Sequence, residues 1–161
     1  MTPRILVVED DASIRRAIVD SITDHGWEVE QAMDGELGLQ LALENHYHCL
    51  VLDLMLPRVN GYELCQTLRR EGKDVPIIMI SALNEEPDVL KGFRVGTTDY
   101  LRKPFSLAEL MMRLKVHIGT VSNTLSFQNY QLDLTSNLLT LPSQDQATLD
   151  QVTLDLSLIH I

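Results

Sequence analysis

The chain is poor in several things that would each point to a different kind of protein. It has only two cysteines, Cys49 and Cys65, far apart and in apolar, periodic surroundings. Thiols so few and so distant make neither a disulfide framework nor a zinc motif, and we expect two small buried residues in a reducing compartment. No Lys or Arg follows Lys115, while residues 120–161 carry Asp133, Asp145, Asp150 and Asp155. A segment without cations cannot neutralise phosphates, so that stretch should not bind DNA. No apolar run approaches the ~20 residues of a membrane helix. Glu9, Asp10 and Asp11 interrupt the first apolar stretch before a signal-like segment can develop. We therefore expect a cytoplasmic chain with no membrane partner. No Gly-rich phosphate loop opens the first helical stretch, which argues against a nucleotide or flavin site.

What is present describes a folded α/β protein. The 161 residues are 45% hydrophobic and 22% charged, with a net charge of −10. That is long enough for one full domain and a fragment of another. Five apolar runs, at residues 5–8, 28–32, 49–54, 76–81 and 98–102, alternate with amphipathic stretches. Ile14, Ala17, Ile18, Ser21 and Ile22 follow helical spacing, as do Leu107, Leu110, Met111, Leu114 and Ile118. The first, third and fourth runs are almost wholly apolar, as strands buried on both faces are. Such alternation builds βαβ units around a parallel sheet, with right-handed crossovers. Asp11 or Ser13, Asp34 and Asn60 stand where helix N-caps are wanted, and Gly26, Gly72 and Gly96 where helices end.

In an open parallel sheet, ligands gather at the carboxyl ends of the strands. The first run ends in Glu9, Asp10 and Asp11, the third reaches Asp53, the fourth ends in Ser81, and Lys103 and Pro104 follow the fifth. If the first, third and fourth strands are neighbours, these groups share one rim. Crowded carboxylates repel one another unless a cation joins them. A set of oxygen ligands with room for water suits Mg²⁺. A carboxylate beside such a cation can attack phosphorus and form an acyl phosphate. Asp53 is the most telling of these residues, because a charge inside an apolar run demands a reason. Asp11 reads better as a helix cap.

The segments ILVVEDDASIR, LVLDLMLPRVNGYEL, PIIMISA and GTTDYLRKPFS, in this order, resemble the receiver domain of bacterial two-component response regulators over about residues 3 to 118. The resemblance implies a flavodoxin-like (βα)5 doubly wound parallel sheet of order 2-1-3-4-5. It implies that Asp53 accepts a phosphoryl group from a phosphohistidine on a sensor histidine kinase. Glu9, Asp10, Asp53 and the Met55 backbone carbonyl would serve Mg²⁺. Ser81 would be the switch hydroxyl, Tyr100 the aromatic that fills the space behind it, and Lys103 the partner of a phosphoryl oxygen. Pro104 would follow a cis peptide bond. The LDLMLP and DYLRKPFS wording leans toward the OmpR/PhoB type, whose receivers pair through the α4-β5-α5 face. Asp99, Glu109 and Arg113 are the residues here for such a homodimer. Thr98 replaces a usual Asp, and Val89 stands where a basic residue often faces the position of Glu109. We therefore expect phosphorylation-promoted pairing of reduced strength. Met55 and Leu83, two residues beyond the acceptor and the switch hydroxyl, are apolar. That predicts slow loss of the phosphoryl group.

The rest of the chain reads as a short β-rich fragment. Residues 127 to 141 alternate polar and apolar, predicting a strand pair across Thr135, Ser136 and Asn137. It resembles the small antiparallel sheet that opens the winged-helix effector of an OmpR/PhoB-type transcription regulator. The expected organisation is a receiver over residues 1–119, a linker over 120–126 and the start of an effector over 127–161, with DNA contacts only through effector parts beyond this segment. Leu156 to Ile161 match the translation of a sequencing-library adapter, so we expect a longer natural chain. Two other readings compete. One is a stand-alone receiver acting by protein binding. The other is a phosphohydrolase, which would want a second acid where Met55 stands. We expect a self-phosphorylating switch, not an enzyme acting on a separate substrate.

Overall fold

The computed structural model describes residues 1–83 and 86–119, together with the backbone of strand segments 124–127, 130–133 and 138–140. The chain divides into two compact units between Thr120 and Val121. The first unit alternates strand and helix five times: β1 (Arg4–Val8), α1 (Ala12–Asp24), β2 (Glu28–Ala32), α2 (Gly35–Glu44), β3 (Cys49–Asp53), α3 (Gly61–Arg70), β4 (Ile77–Ser81), α4 (Glu86–Arg94), β5 (Asp99–Arg102) and α5 (Leu107–His117). The strands form one parallel sheet in the order β2-β1-β3-β4-β5. The alternation predicted a parallel sheet, and this strand order is the flavodoxin-like one that the resemblance implied. It places the ends of β1, β3 and β4 side by side.

The period of two along each strand splits the core between the two faces of the sheet. Ile5, Val7, Val51, Ile78 and Ile80 pack with Ile18 and Ile22 of α1 and Leu110, Met111 and Leu114 of α5. Leu6, Val8, Leu50, Leu52 and Met79 pack with Ala42 of α2 and Leu64, Cys65 and Leu68 of α3. Residues of β1, β3 and β4 on both faces are buried, which is why these segments read as continuous apolar runs. Truncating one of them, such as Leu52→Ala, removes about 2–5 kcal/mol. Both cysteines are free and buried, and burial pushes the Cys49 thiol up to about 12. Burial raises the Cys65 thiol as well, so both side chains favour the protonated form.

Polar residues start the helices. The Asp11 carboxylate accepts from the N–H groups of Ser13 and Ile14, each at 2.9 Å, so Asp11 and not Ser13 caps α1. Asp34 caps α2, and Asn60 forms a reciprocal capping box with Glu63 on α3. Each such cap is worth about 1 kcal/mol. Gly26, Gly72 and Gly96 follow α1, α3 and α4 with φ of 77°, 74° and 98°. At Gly61 the requirement is space: a Cβ would lie 2.7 Å from the Asp53 carbonyl oxygen, so α3 starts against the end of β3 only with glycine there. Among the described residues, no helix is long and apolar enough to cross a membrane.

The second unit contains an antiparallel sheet of β6 (Thr124–Phe127), β7 (Tyr130–Asp133) and β8 (Leu138–Thr140), in the order β6-β7-β8. β6 takes in the last three residues, 124–126, of the stretch read from sequence as linker. Leu125 and Phe127 already alternate with Thr124 and Ser126, but four residues are too short a run to be told from a linker. The expected turn at Thr135 to Asn137, and the terminal Leu156 to Ile161, lie outside the described residues.

Candidate functional site

Asp53 is the last residue of β3 and is 4% exposed. Glu9 directly follows β1 and is 1% exposed; its N–H donates to the Ala32 carbonyl at 3.1 Å, extending the pairing with β2 by one residue. Asp10 comes next and is exposed. One carboxylate oxygen from each of Glu9, Asp10 and Asp53 lies within 4.8 Å of the others. Asp11 stays outside this cluster and caps α1.

Lys103 reaches the cluster from beyond β5. Its N–H donates to the Ser81 carbonyl at 2.8 Å, and the Lys103–Pro104 peptide bond is cis. Its Nζ lies 3.1 Å from Glu9 Oε2 and 3.4 Å from Asp53 Oδ1. The other Glu9 oxygen accepts the Asp11 N–H at 3.1 Å. Burial and the nearby Asp53 charge push the Glu9 carboxyl up to about 7, against the Asp11 N–H and Lys103. Burial also raises Asp53, with Asp10 adding to it and Lys103 and the Met55 N–H opposing it. Burial alone would lower Lys103, but Asp53 and Glu9 outweigh it and raise the ammonium. One cation therefore serves two buried carboxylates and leaves them short of positive charge. A hard divalent cation on these oxygens would supply it.

Ser81 ends β4 and is fully buried, its Oγ accepting the Leu83 N–H at 2.9 Å. The Tyr100 hydroxyl donates to the Leu83 carbonyl at 3.0 Å, and the residue is 8% exposed. Leu83 thus ties the two side chains to one loop. Beside the acids, a cleft of about 410 Å³ is lined by Asp10, Met55, Pro57, Asn60, Tyr62 and Leu83, among others. Met55 stands 63% exposed at its rim.

Asp99 and Arg113, expected at a contact between two copies, are paired within one chain. Arg113 Nη1 donates to both Asp99 oxygens, at 2.8 and 2.9 Å, and Nη2 donates to Glu109 at 2.9 Å. His117 Nε2 lies 3.0 Å from Asp99 Oδ2. Burial would raise the Asp99 carboxyl, but His117 and Arg113 hold it below its ordinary value. Thr98 Oγ1 accepts the Ile77 N–H at 3.0 Å, and Val89 packs partly buried against the core. Sequence reasoning overlooked His117 and also Arg15. The Arg15 Nη1 donates to the backbone carbonyls of Glu9 and Asp10 at 2.9 and 3.3 Å, and its Nε donates to Gln31 Oε1 at 3.2 Å. His117 lies outside the quoted segments; Arg15 closes the ILVVEDDASIR segment, but nothing in that segment assigns it a role.

Residues 5–115 match the response regulator receiver domain family. The DNA-binding dual master transcriptional regulator RpaA of Synechocystis is 40% identical over 115 residues, 70% of this chain and 48% of RpaA. The chain thus spans about half the length of that relative. The receiver domain of the Francisella response regulator 1452 superposes with a TM-score of 0.72 at 34% identity, covering 74% of this chain and 98% of that one. DrrB of Thermotoga maritima, an OmpR/PhoB homolog, gives a TM-score of 0.69 at 30% identity over 88% of this chain and 64% of DrrB. The receiver domain of the sensor histidine kinase PA1611 of Pseudomonas aeruginosa, with a magnesium ion coordinated in its active-site cleft, gives 0.68 at 31% identity over 74% and 99%. With its fold, its acidic rim and these likenesses, the chain belongs to the response regulator receiver domain family.

Proposed function

We propose that Asp53 accepts a phosphoryl group from a phosphohistidine of a sensor histidine kinase, and that the change on this rim is read out as control of transcription. The observation that carries this is the burial of Asp53 at the end of β3 with Lys103 Nζ 3.4 Å away and two more carboxylates beside it. Glu9, Asp10 and Asp53 gather three carboxylate oxygens, and with the Met55 backbone carbonyl they would make an all-oxygen donor set suited to Mg²⁺, the ion held in the PA1611 receiver. When bound, the ion neutralises charge that would otherwise repel an incoming phosphoryl group.

The chain's own residues do the rest. An Asp53 carboxylate oxygen attacks phosphorus while the bond to the donor imidazole nitrogen breaks, and the imidazole takes up a proton. Lys103 leaves Asp53 Oδ1 for a phosphoryl oxygen. Ser81 turns its hydroxyl toward another, giving up the Leu83 N–H. Tyr100, already buried with its hydroxyl on the Leu83 carbonyl, is held in the space behind Ser81 by that movement, and the α4-β5-α5 face changes. Asp99, Glu109 and Arg113 carry the homodimer contact on that face. Its strength is reduced, because Arg113 is already engaged within the chain and Thr98 and Val89 add no charge.

The expected organisation follows the sequence reading, with a receiver up to residue 119 and an effector opening in the C-terminal β segments. Relatives such as RpaA are named as DNA-binding regulators. The test of the switch is phosphoryl uptake from acetyl phosphate with Mg²⁺, followed by intact mass, beside Asp53→Ala. The test of pairing is sedimentation of the protein loaded with beryllofluoride. A sample that remains monomeric at high concentration overturns the dimer.

A further inference from the structure

Two of the three clustered carboxylates are held by donors: Glu9 by the Asp11 N–H and Lys103, and Asp53 by Lys103. Among the described residues, the exposed Asp10 carboxylate makes no hydrogen bond or ion pair. Its direction is therefore set by its backbone. That backbone lies beyond β1, where the Glu9 N–H makes the last bond to β2. Arg15 takes over from there. Its own N–H donates to the Asp11 carbonyl at 2.9 Å, which anchors it in the first turn of α1. Helical side chains lean toward the N-terminus, and this one returns over the cap. Its Nη1 reaches the Glu9 carbonyl at 2.9 Å and the Asp10 carbonyl at 3.3 Å. Its Nε bonds a different element, Gln31 of β2, at 3.2 Å.

We propose that Arg15 is a positioning residue for the acidic cluster: by gripping the carbonyls on both sides of the Asp10 Cα, it aims the Asp10 carboxylate and raises the cluster's affinity for a divalent cation. This rests on the metal-site reading given above. The guanidinium offers donors in a rigid fork, which a lysine ammonium lacks. The sign of the effect separates positioning from charge. A positive group this near repels a cation, so removing it would tighten metal binding if charge alone mattered. Weaker binding on removal therefore cannot come from lost charge, and the Gln31→Ala control separates lost alignment from a lost tie between α1 and β2.

The test is a Mn²⁺ titration, reading the free ion by electron paramagnetic resonance, on wild type, Arg15→Ala, Arg15→Lys and Gln31→Ala, with urea unfolding of each. Arg15→Ala should bind Mn²⁺ about tenfold more weakly, the order of loss seen when groups orienting a ligand are removed. Arg15→Lys should fall between it and wild type. Gln31→Ala loses only the bond to β2 and should keep wild-type affinity. Wild-type or tighter binding by Arg15→Ala overturns the proposal, and so does a Gln31→Ala loss of equal size, which would mark a general tie between α1 and β2. Should Arg15→Ala fail to fold, Arg15→Lys decides, and wild-type affinity there overturns it. Absence of Mn²⁺ binding in wild type removes the metal-site reading itself, whereas equal binding by wild type and Arg15→Ala removes only the role of Arg15.

Discussion

Lys103 donates to Glu9 Oε2 at 3.1 Å, joining residues 94 positions apart at the ends of β5 and β1. The same ammonium is 3.4 Å from Asp53 and its side chain is 20% exposed. Lys103 is thus a structural counter-ion before it meets any phosphoryl group. Lys103→Ala leaves two buried carboxylates without their cation. It should lower metal-free stability at neutral pH by about 2 kcal/mol in urea unfolding, below the 3–5 kcal/mol of a fully buried broken pair because this lysine keeps some water. Saturating Mg²⁺ should recover most of that loss. Unchanged metal-free stability would show that the ammonium is held there without consequence.

Glu9 makes stability depend on pH in an unusual direction for an acid. Its carboxyl is raised from 4.5 to about 7 by burial and by Asp53, so the folded chain binds this proton more tightly than the unfolded one. The resulting stability is complete below the unfolded value and is lost as pH rises through about 7. Metal-free protein should therefore melt at a lower temperature at pH ~7.5 than at pH ~5, and Glu9→Gln should flatten that slope. Mg²⁺ should raise the melting temperature more at the higher pH, where the carboxylates are ionised. Equal slopes for wild type and Glu9→Gln would place the titration elsewhere.

Arg58 has φ of 70°, the only positive φ of a non-glycine among the described residues. Its guanidinium bonds the exposed Glu36 at 2.8 Å and lies 3.9 Å from the half-buried Asp34, both at the start of α2. Such pairs contribute little, whereas the left-handed backbone costs roughly 1–2 kcal/mol for a residue with a Cβ. Glycine adds about 0.4–1 kcal/mol of unfolded-chain entropy, less than the strain it removes. Arg58→Gly should therefore be more stable than Arg58→Ala by roughly 0.5–1 kcal/mol. The reverse order in chemical unfolding would show that the loop after β3 is relaxed as it stands.

Met55 and Leu83 line the cleft beside Asp53 and offer no group to hold an attacking water. The phosphorylated chain should lose its label over minutes to hours without a phosphatase. Met55→Glu places a carboxylate at the rim, able to act as a base on water, and should shorten that lifetime several-fold. Wild-type loss within seconds would contradict the reading, as would an unaltered lifetime in Met55→Glu.

The parts of this molecule legible in its sequence are those where one residue type answers one local requirement. β1, β3 and β4 announce themselves because both faces are buried, and Asp53 because it breaks such a run. Asp34 and Asn60 announce helix starts by capping chemistry, and the glycines after α1, α3 and α4 their ends. The features that escaped are relations between distant residues or between a side chain and backbone. Arg15 grips carbonyls, which every residue carries, so its place at the end of the ILVVEDDASIR segment says nothing of that role. His117 meets Asp99 only because α5 packs beside β5. The pairing of Asp99 with Arg113 inside one chain depends on rotamers that spacing does not encode. β6 was too short to separate from a linker by alternation alone.

The most direct test of the account is intact-mass spectrometry of the protein incubated with acetyl phosphate, with and without Mg²⁺, beside Asp53→Ala. The account predicts a gain of one phosphoryl mass in wild type that requires Mg²⁺ and is absent from the variant. A wild-type mass unchanged under all conditions, or a gain that persists in Asp53→Ala, would contradict Asp53 as the acceptor.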